Sequence, residues 1–184
     1  MFHFHLITLF PGAFSYLGES IIGRAREAKK ITVSFWNPRD FTRDKHRITD
    51  DKAYGGGPGM VMKAEPVLKA IDKALARKKD ALVIIFTPSG EQFTNEMARG
   101  IAENKKNVVL TCGHYEGVDE RVIEALRERG IEVKKISIGP YILSGGEIPA
   151  MALVDAVARH IPGVLGKSES LEESRAASPE VYTR

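Results

Sequence analysis

Ser137-Ile138-Gly139-Pro140-Tyr141-Ile142-Leu143-Ser144-Gly145-Gly146-Glu147-Ile148-Pro149-Ala150 decides the fold of this chain. Three glycines and two prolines interrupt what would otherwise be a strand running into a helix. Glycine lets backbone amides approach a ligand closely, and proline holds a bend without a flexible chain. The carboxyl end of a strand is where an α/β protein builds a small-molecule site, so this stretch reads as a ligand loop. An ordinary surface loop needs fewer such residues.

Outward from it, strand-like and helix-like segments alternate. Residues 2–9 read as a strand, followed by a helix with Ile21, Ile22, Ala25 and Ala28 on its apolar side. Residues 31–36 form the next strand, and 37–60 a long polar stretch with little periodicity. A helix over 64–77 repeats Val67, Ile71, Ala74 and Leu75. Strands at 81–86 and 107–112 are apolar on both faces, with helices at 93–103 and 118–128. A strand at 132–138 precedes a helix at 150–160, which carries Val154 and Val157 inward. This order predicts an α/β protein with a mainly parallel sheet flanked by helices. After Gly166 the chain turns rich in Ser and Glu, so residues 167–184 read as a mobile linker beyond a domain spanning 1–166.

Bulk properties bound the function. The 184 residues are 43% hydrophobic, enough for one full core. A net charge of +3, from 27 basic and 24 acidic residues, does not by itself make a nucleic-acid binder. It leaves room for a basic patch around Arg39 to Arg47. One cysteine, Cys112, excludes an internal disulfide, and no cluster has zinc-ligand spacing. The apolar first fifteen residues lack a basic leader and alternate as a strand does, with His3 and His5 as strand neighbours. No apolar run is long enough for a bilayer, so a cytoplasmic protein without membrane contact is expected.

Two nucleotide signatures fail. No strand precedes G-x-G-x-x-G, and residues 163–168 imitate a phosphate loop whose first glycine is two residues too close. Three strand ends do carry unusual loops: Thr87-Pro88-Ser89-Gly90, Gly113-His114-Tyr115-Glu116-Gly117 and the opening stretch. If their strands are parallel neighbours, all three surround one ligand. Residues 46–60 add four glycines in five positions, Gly55, Gly56, Gly57 and Gly59, after Arg47, Asp50 and Asp51. These either read a polar ligand or hold the loop itself.

The blocks HRITDDKAYGGGPGMVMK (46–63), CGHYEGVDERV (112–122), SIGPYILSGGEIPAMALVDAV (137–157) and RHIPGVLG (159–166) resemble, in that order, the bacterial tRNA (guanine-N1)-methyltransferase family. The resemblance implies a SPOUT methyltransferase with a deep C-terminal trefoil knot. It implies S-adenosylmethionine as methyl donor, transfer to N1 of the guanine 3′ of the anticodon in tRNA, and a homodimer with sites between subunits. By motif, the donor contacts fall at Thr87, Pro88, Gly113 and Tyr115, at Ile138, Gly139, Pro140, Tyr141, Ile142 and Leu143, and at Gly145 and Gly146. Glu116 matches a family acid near the donor's methionine end, although it also suits a loop-stabilising role.

Arg159 matches the family's catalytic cation, with a surface pair to Asp155 as the plainer reading. The general base falls at Glu173, or one residue earlier at Glu172. His114 stands where many relatives have arginine and Pro140 where many have aspartate, which leaves magnesium open. The family's C-terminal tRNA-binding domain has no counterpart after Tyr182-Thr183-Arg184, so the chain is expected to bind donor and dimerise but to methylate tRNA poorly. The competing expectations are an inactive donor-binding module and an enzyme acting on a different RNA.

Overall fold

A computed structural model describes residues 1–76 and 80–165. Five parallel strands form the central sheet: β1 (Phe2–Ile7), β2 (Ile31–Trp36), β5 (Leu82–Gln92), β6 (Asn107–Thr111) and β7 (Glu132–Ser137). Their order is β2-β1-β6-β5-β7, with β2 and β7 at the edges. A short antiparallel ribbon, β3 (Asp50–Lys52) with β4 (Met60–Met62), stands apart from the sheet.

Alternation along the strands divides the core. Phe4, Leu6, Leu82, Ile84, Val108 and Leu110 point to one face, where α1 (Ser20–Glu27), α3 (Asn95–Asn104) and α5 (Glu147–Arg159) pack. Ile7, Val83, Ile85 and Val109 point to the other, under α2 (Ala64–Leu75) and α4 (Arg121–Glu128). Helices on both faces cover the strands, as the nearly unbroken apolar runs at 81–86 and 107–112 require.

Several boundaries differ from the sequence reading, and two helix starts have a clear local reason. The helix placed at 93–103 starts at Asn95 because the Thr94 hydroxyl caps it, accepting from the Met97 amide at 3.2 Å. The helix placed at 150 starts at Glu147, so Pro149 sits in the first turn, where its missing N–H has no intrahelical partner to lose. Residues 37–60 are more ordered than their weak periodicity suggests. They hold a 3-10 turn at Pro38–Phe41, and positive φ at Gly55, Gly56, Gly57 and Gly59 folds the ribbon's tip.

Residues 87–90 read as a turn but lie inside β5. Phe86 and Glu91 both pair with Ile136, so the four residues between them leave the ladder as a bulge. Gly90 permits this, because a Cβ there would sit 2.6 Å from the Ile136 backbone.

Candidate donor site at the rim of the sheet

β6, β5 and β7 are neighbours and parallel, so the segments that follow or bulge from their carboxyl ends share one rim. Between them lies a cavity of about 500 Å³, lined by residues from the 87–90 bulge, the 113–117 loop and the 138–146 loop. That volume suits a small-molecule ligand. Thr87, Pro88, Gly113, Tyr115, Glu116, Ile138, Gly139, Tyr141, Ile142, Leu143, Gly145 and Gly146 all face it. Pro140 does not; it sits exposed at the outer bend, where the Tyr141 amide donates to the Gly139 carbonyl at 2.9 Å. The fixed φ of proline suits the centre of such a three-residue turn.

The glycines bring backbone against backbone. A Cβ on Gly146 would lie 2.5 Å from the Cys112 Cα and 2.9 Å from the Gly113 nitrogen. A Cβ on Gly139 would lie 2.6 Å from Tyr141 Cζ, so the tyrosine ring folds over that glycine. The Ser137 hydroxyl donates to the Gly139 carbonyl at 3.0 Å and fixes the start of the loop. Tyr141 in turn donates its hydroxyl to the Ile138 carbonyl at 3.2 Å.

The 113–117 loop is held from two sides. Tyr115 adopts φ 60 and Gly117 φ 125, which turn the chain toward the ribbon. There the Glu116 amide donates to the Met60 carbonyl at 3.0 Å and the Met62 amide to the Gly117 carbonyl at 2.9 Å. The Glu116 side chain lies against Gly59, in the space a Cβ at that position would need. On the other side, His114 forms an antiparallel bridge with Gly145, and the Gly146 amide donates to the Gly113 carbonyl at 2.9 Å.

Glu147, Thr8 and His114 form a polar cluster that sequence reasoning missed. Glu147 is buried, accepts a hydrogen bond from the Thr8 hydroxyl at 2.7 Å, and lies 2.8 and 2.9 Å from His114 Nε2 through its two oxygens. The Phe10 ring packs edge-on to His114 at 5.0 Å between centroids, and Arg39 lies over Phe10. Burial, and then the charge of Glu147, push the Cys112 thiol well above its usual value. Glu147 carried a readable signal as an acid in the first turn of a helix directly after two glycines. Thr8, more than a hundred residues away in sequence, carried none.

Arg159 does not line the cavity. It closes α5 twelve residues beyond Glu147, about 18 Å along the helix axis, toward the opposite rim. Glu172 and Glu173 lie outside the described residues. Among the described residues, no three His, Cys, Asp or Glu side chains gather as a metal site. No helix among them is long and apolar enough to cross a membrane.

Residues 2–179 match the family model described as tRNA (Guanine-1)-methyltransferase TrmD. The chain belongs to this family. Curated relatives agree, each bearing the name tRNA (guanine-N(1)-)-methyltransferase. The protein of Pseudoalteromonas atlantica is 48% identical over 172 residues, covering 92% of this chain and 63% of its own length. That of Myxococcus xanthus is 45% identical over 185 residues, covering 97% and 72%. That of Dictyoglomus turgidum is 46% identical over 174 residues, covering 94% and 67%. The chain therefore spans about two thirds of the length of these relatives. In this TrmD family member, the motif blocks at 112–122 and 137–157 line the cavity through the 113–117 and 138–146 loops, while the block at 46–63 supplies the ribbon that holds the first of these loops.

Proposed function

We propose that the chain binds S-adenosylmethionine in the rim cavity and supports methylation of N1 of the guanine 3′ of the anticodon in tRNA. The observation that carries this reading is the convergence of residues 87–90, 113–117 and 138–146 on one cavity in a chain of this family. The residues present fit such a donor. Gly139, Gly145 and Gly146 let the 138–146 loop close against Tyr141, His114 and Cys112, where side chains would clash, and so shape the cavity wall. Ile138, Tyr141 and Leu143 offer apolar walls for a base and ribose, and Glu116 offers a carboxylate for a cationic group. When bound, the donor supplies an electrophilic methyl on a positively charged sulfur.

The chain's own groups have the remaining tasks. The N1 proton must leave, and a carboxylate at Glu173 or Glu172 takes it. The guanidinium of Arg159 stabilises negative charge that develops toward O6. Arg159 lies one helix length from the cavity of its own protomer, so the reading includes a homodimer in which a second copy brings that cation to the site. It also includes a deep trefoil knot, supported by the 138–146 loop docking on the 113–117 loop before α5 begins. Residues 1–166 act as the catalytic unit and 167–184 as a linker, in a cytoplasmic, tRNA-modifying protein.

Calorimetry with S-adenosylmethionine tests the first half of the proposal. Transfer of labelled methyl to tRNA transcripts with and without guanine 3′ of the anticodon, in the presence and absence of magnesium, tests the second. Absence of donor binding overturns the proposal. Donor binding without transfer selects the inactive-module reading. Equal transfer to both transcripts points to another RNA target.

A further inference from the structure

We propose that Glu147, clamped by His114 and Thr8, is a positioning residue that sets the spacing between two walls of the donor cavity. Its carboxylate spans three elements: Thr8 just past β1, His114 past β6, and its own place at the start of α5. None of these three residues lines the cavity, but their chain neighbours do. Gly113 and Tyr115 flank His114 on one wall, while Gly145 and Gly146 precede Glu147 on the other.

One antiparallel backbone bridge joins these walls, His114 with Gly145, and its 2.9 Å hydrogen bond runs from the Gly146 amide to the Gly113 carbonyl. The side-chain cluster is a second link, and it is nearly dry. Glu147 retains 7% exposure and Thr8 none. A carboxylate in such a place is stable only when its oxygens are fully partnered, and here they have a hydroxyl and an imidazole nitrogen. Its position at the first residue of α5 adds the attraction of the helix's amino end. Removing His114 leaves a buried charge under-partnered, and relaxation would draw Glu147 toward water and part the walls. Arginine at 114 would again offer the carboxylate a side-chain donor, whereas alanine would not.

This inference rests on donor binding in the rim cavity, so the full chain is first titrated with S-adenosylmethionine. Failure of that titration is a failure of the functional reading and not of the positioning role. His114→Ala and Glu147→Gln are then compared with His114→Arg and with the double variant His114→Ala/Glu147→Gln, with melting temperatures measured in parallel. The expected result is a loss of donor affinity of about tenfold in each single variant. Recovery to within about threefold is expected in His114→Arg, and no further loss in the double variant, because the residues act as one unit. Unchanged affinity in folded His114→Ala and Glu147→Gln would overturn the assignment. So would additive losses in the double variant, or a failure of arginine to rescue. If alanine prevents folding, His114→Gln supplies the same comparison with a neutral donor.

Discussion

Replacing Gly146 by alanine tests the close approach on which the cavity depends. Gly146 has φ −80, so an alanine meets no backbone strain there and the effect is purely steric. The new Cβ would sit 2.5 Å from the Cys112 Cα, where ordinary contact begins at 3.4 Å, so the strands of chain must separate by about 0.9 Å. That movement stretches the Gly146–Gly113 hydrogen bond from 2.9 Å to about 3.8 Å, beyond bonding range. Crowding of this kind costs about 1–3 kcal/mol, and the lost bond about 1 kcal/mol more. A chain of this size loses about 2–4 °C of melting temperature per kcal/mol. Differential scanning fluorimetry should therefore show a fall of about 4–16 °C, with weakened donor binding by calorimetry. Gly100→Ala is the control. Nothing lies within 4 Å of a Cβ at that position in α3, so helix propensity alone acts and raises stability by about 0.5–1 kcal/mol. A Gly146→Ala protein melting within about 2 °C of the parent, with unaltered donor affinity, would refute the steric reasoning.

Other outcomes follow from the titratable groups. The Arg121 guanidinium, hydrogen-bonded at 2.9 Å and 3.1 Å, holds the Asp119 carboxyl below its ordinary value. A depressed carboxyl contributes stability that is present above its unfolded value and lost as pH falls through the folded one. The melting-temperature gap between the parent and Asp119→Asn should thus hold steady near neutrality and close on acidification below about pH 4. A gap that widened in acid would contradict the sign. Cys112 is wholly buried and its thiol is raised, so a thiol-labelling reagent should react slowly with the native chain and at a free-thiol rate in denaturant. Rapid native labelling would show that the wall beside Gly146 opens.

The sheet was legible because its strands announce themselves. Ile31–Trp36 coincides with the expected segment, and the apolar runs at 81–86 and 107–112 could only be strands covered on both faces. The rim cavity was legible for the same reason, since parallel neighbours place all their carboxyl ends together. Pairing beyond a local turn was not legible. Residues 87–90 have the composition of a turn, and only the register against Ile136 makes them a bulge. The 50–62 ribbon has strands three residues long, too short for any periodicity to show. Pro140 carries the motif position but sits exposed at the centre of a three-residue turn that its fixed φ suits. Glu147 stood in plain sight, yet its importance comes from Thr8 and His114, which reach it through space.

The strand order also governs how the chain is born. β6 lies between β1 and β5, both of which precede it in the sequence. Until Asn107–Thr111 leaves the ribosome, β1 has only β2 beside it and β5 has no permanent neighbour at all. A nascent polypeptide ending near residue 104 therefore presents two unsatisfied apolar ladders, a form that invites misassociation during synthesis. The five residues of β6, every one of them buried in the finished molecule, supply the pairing that joins the two halves.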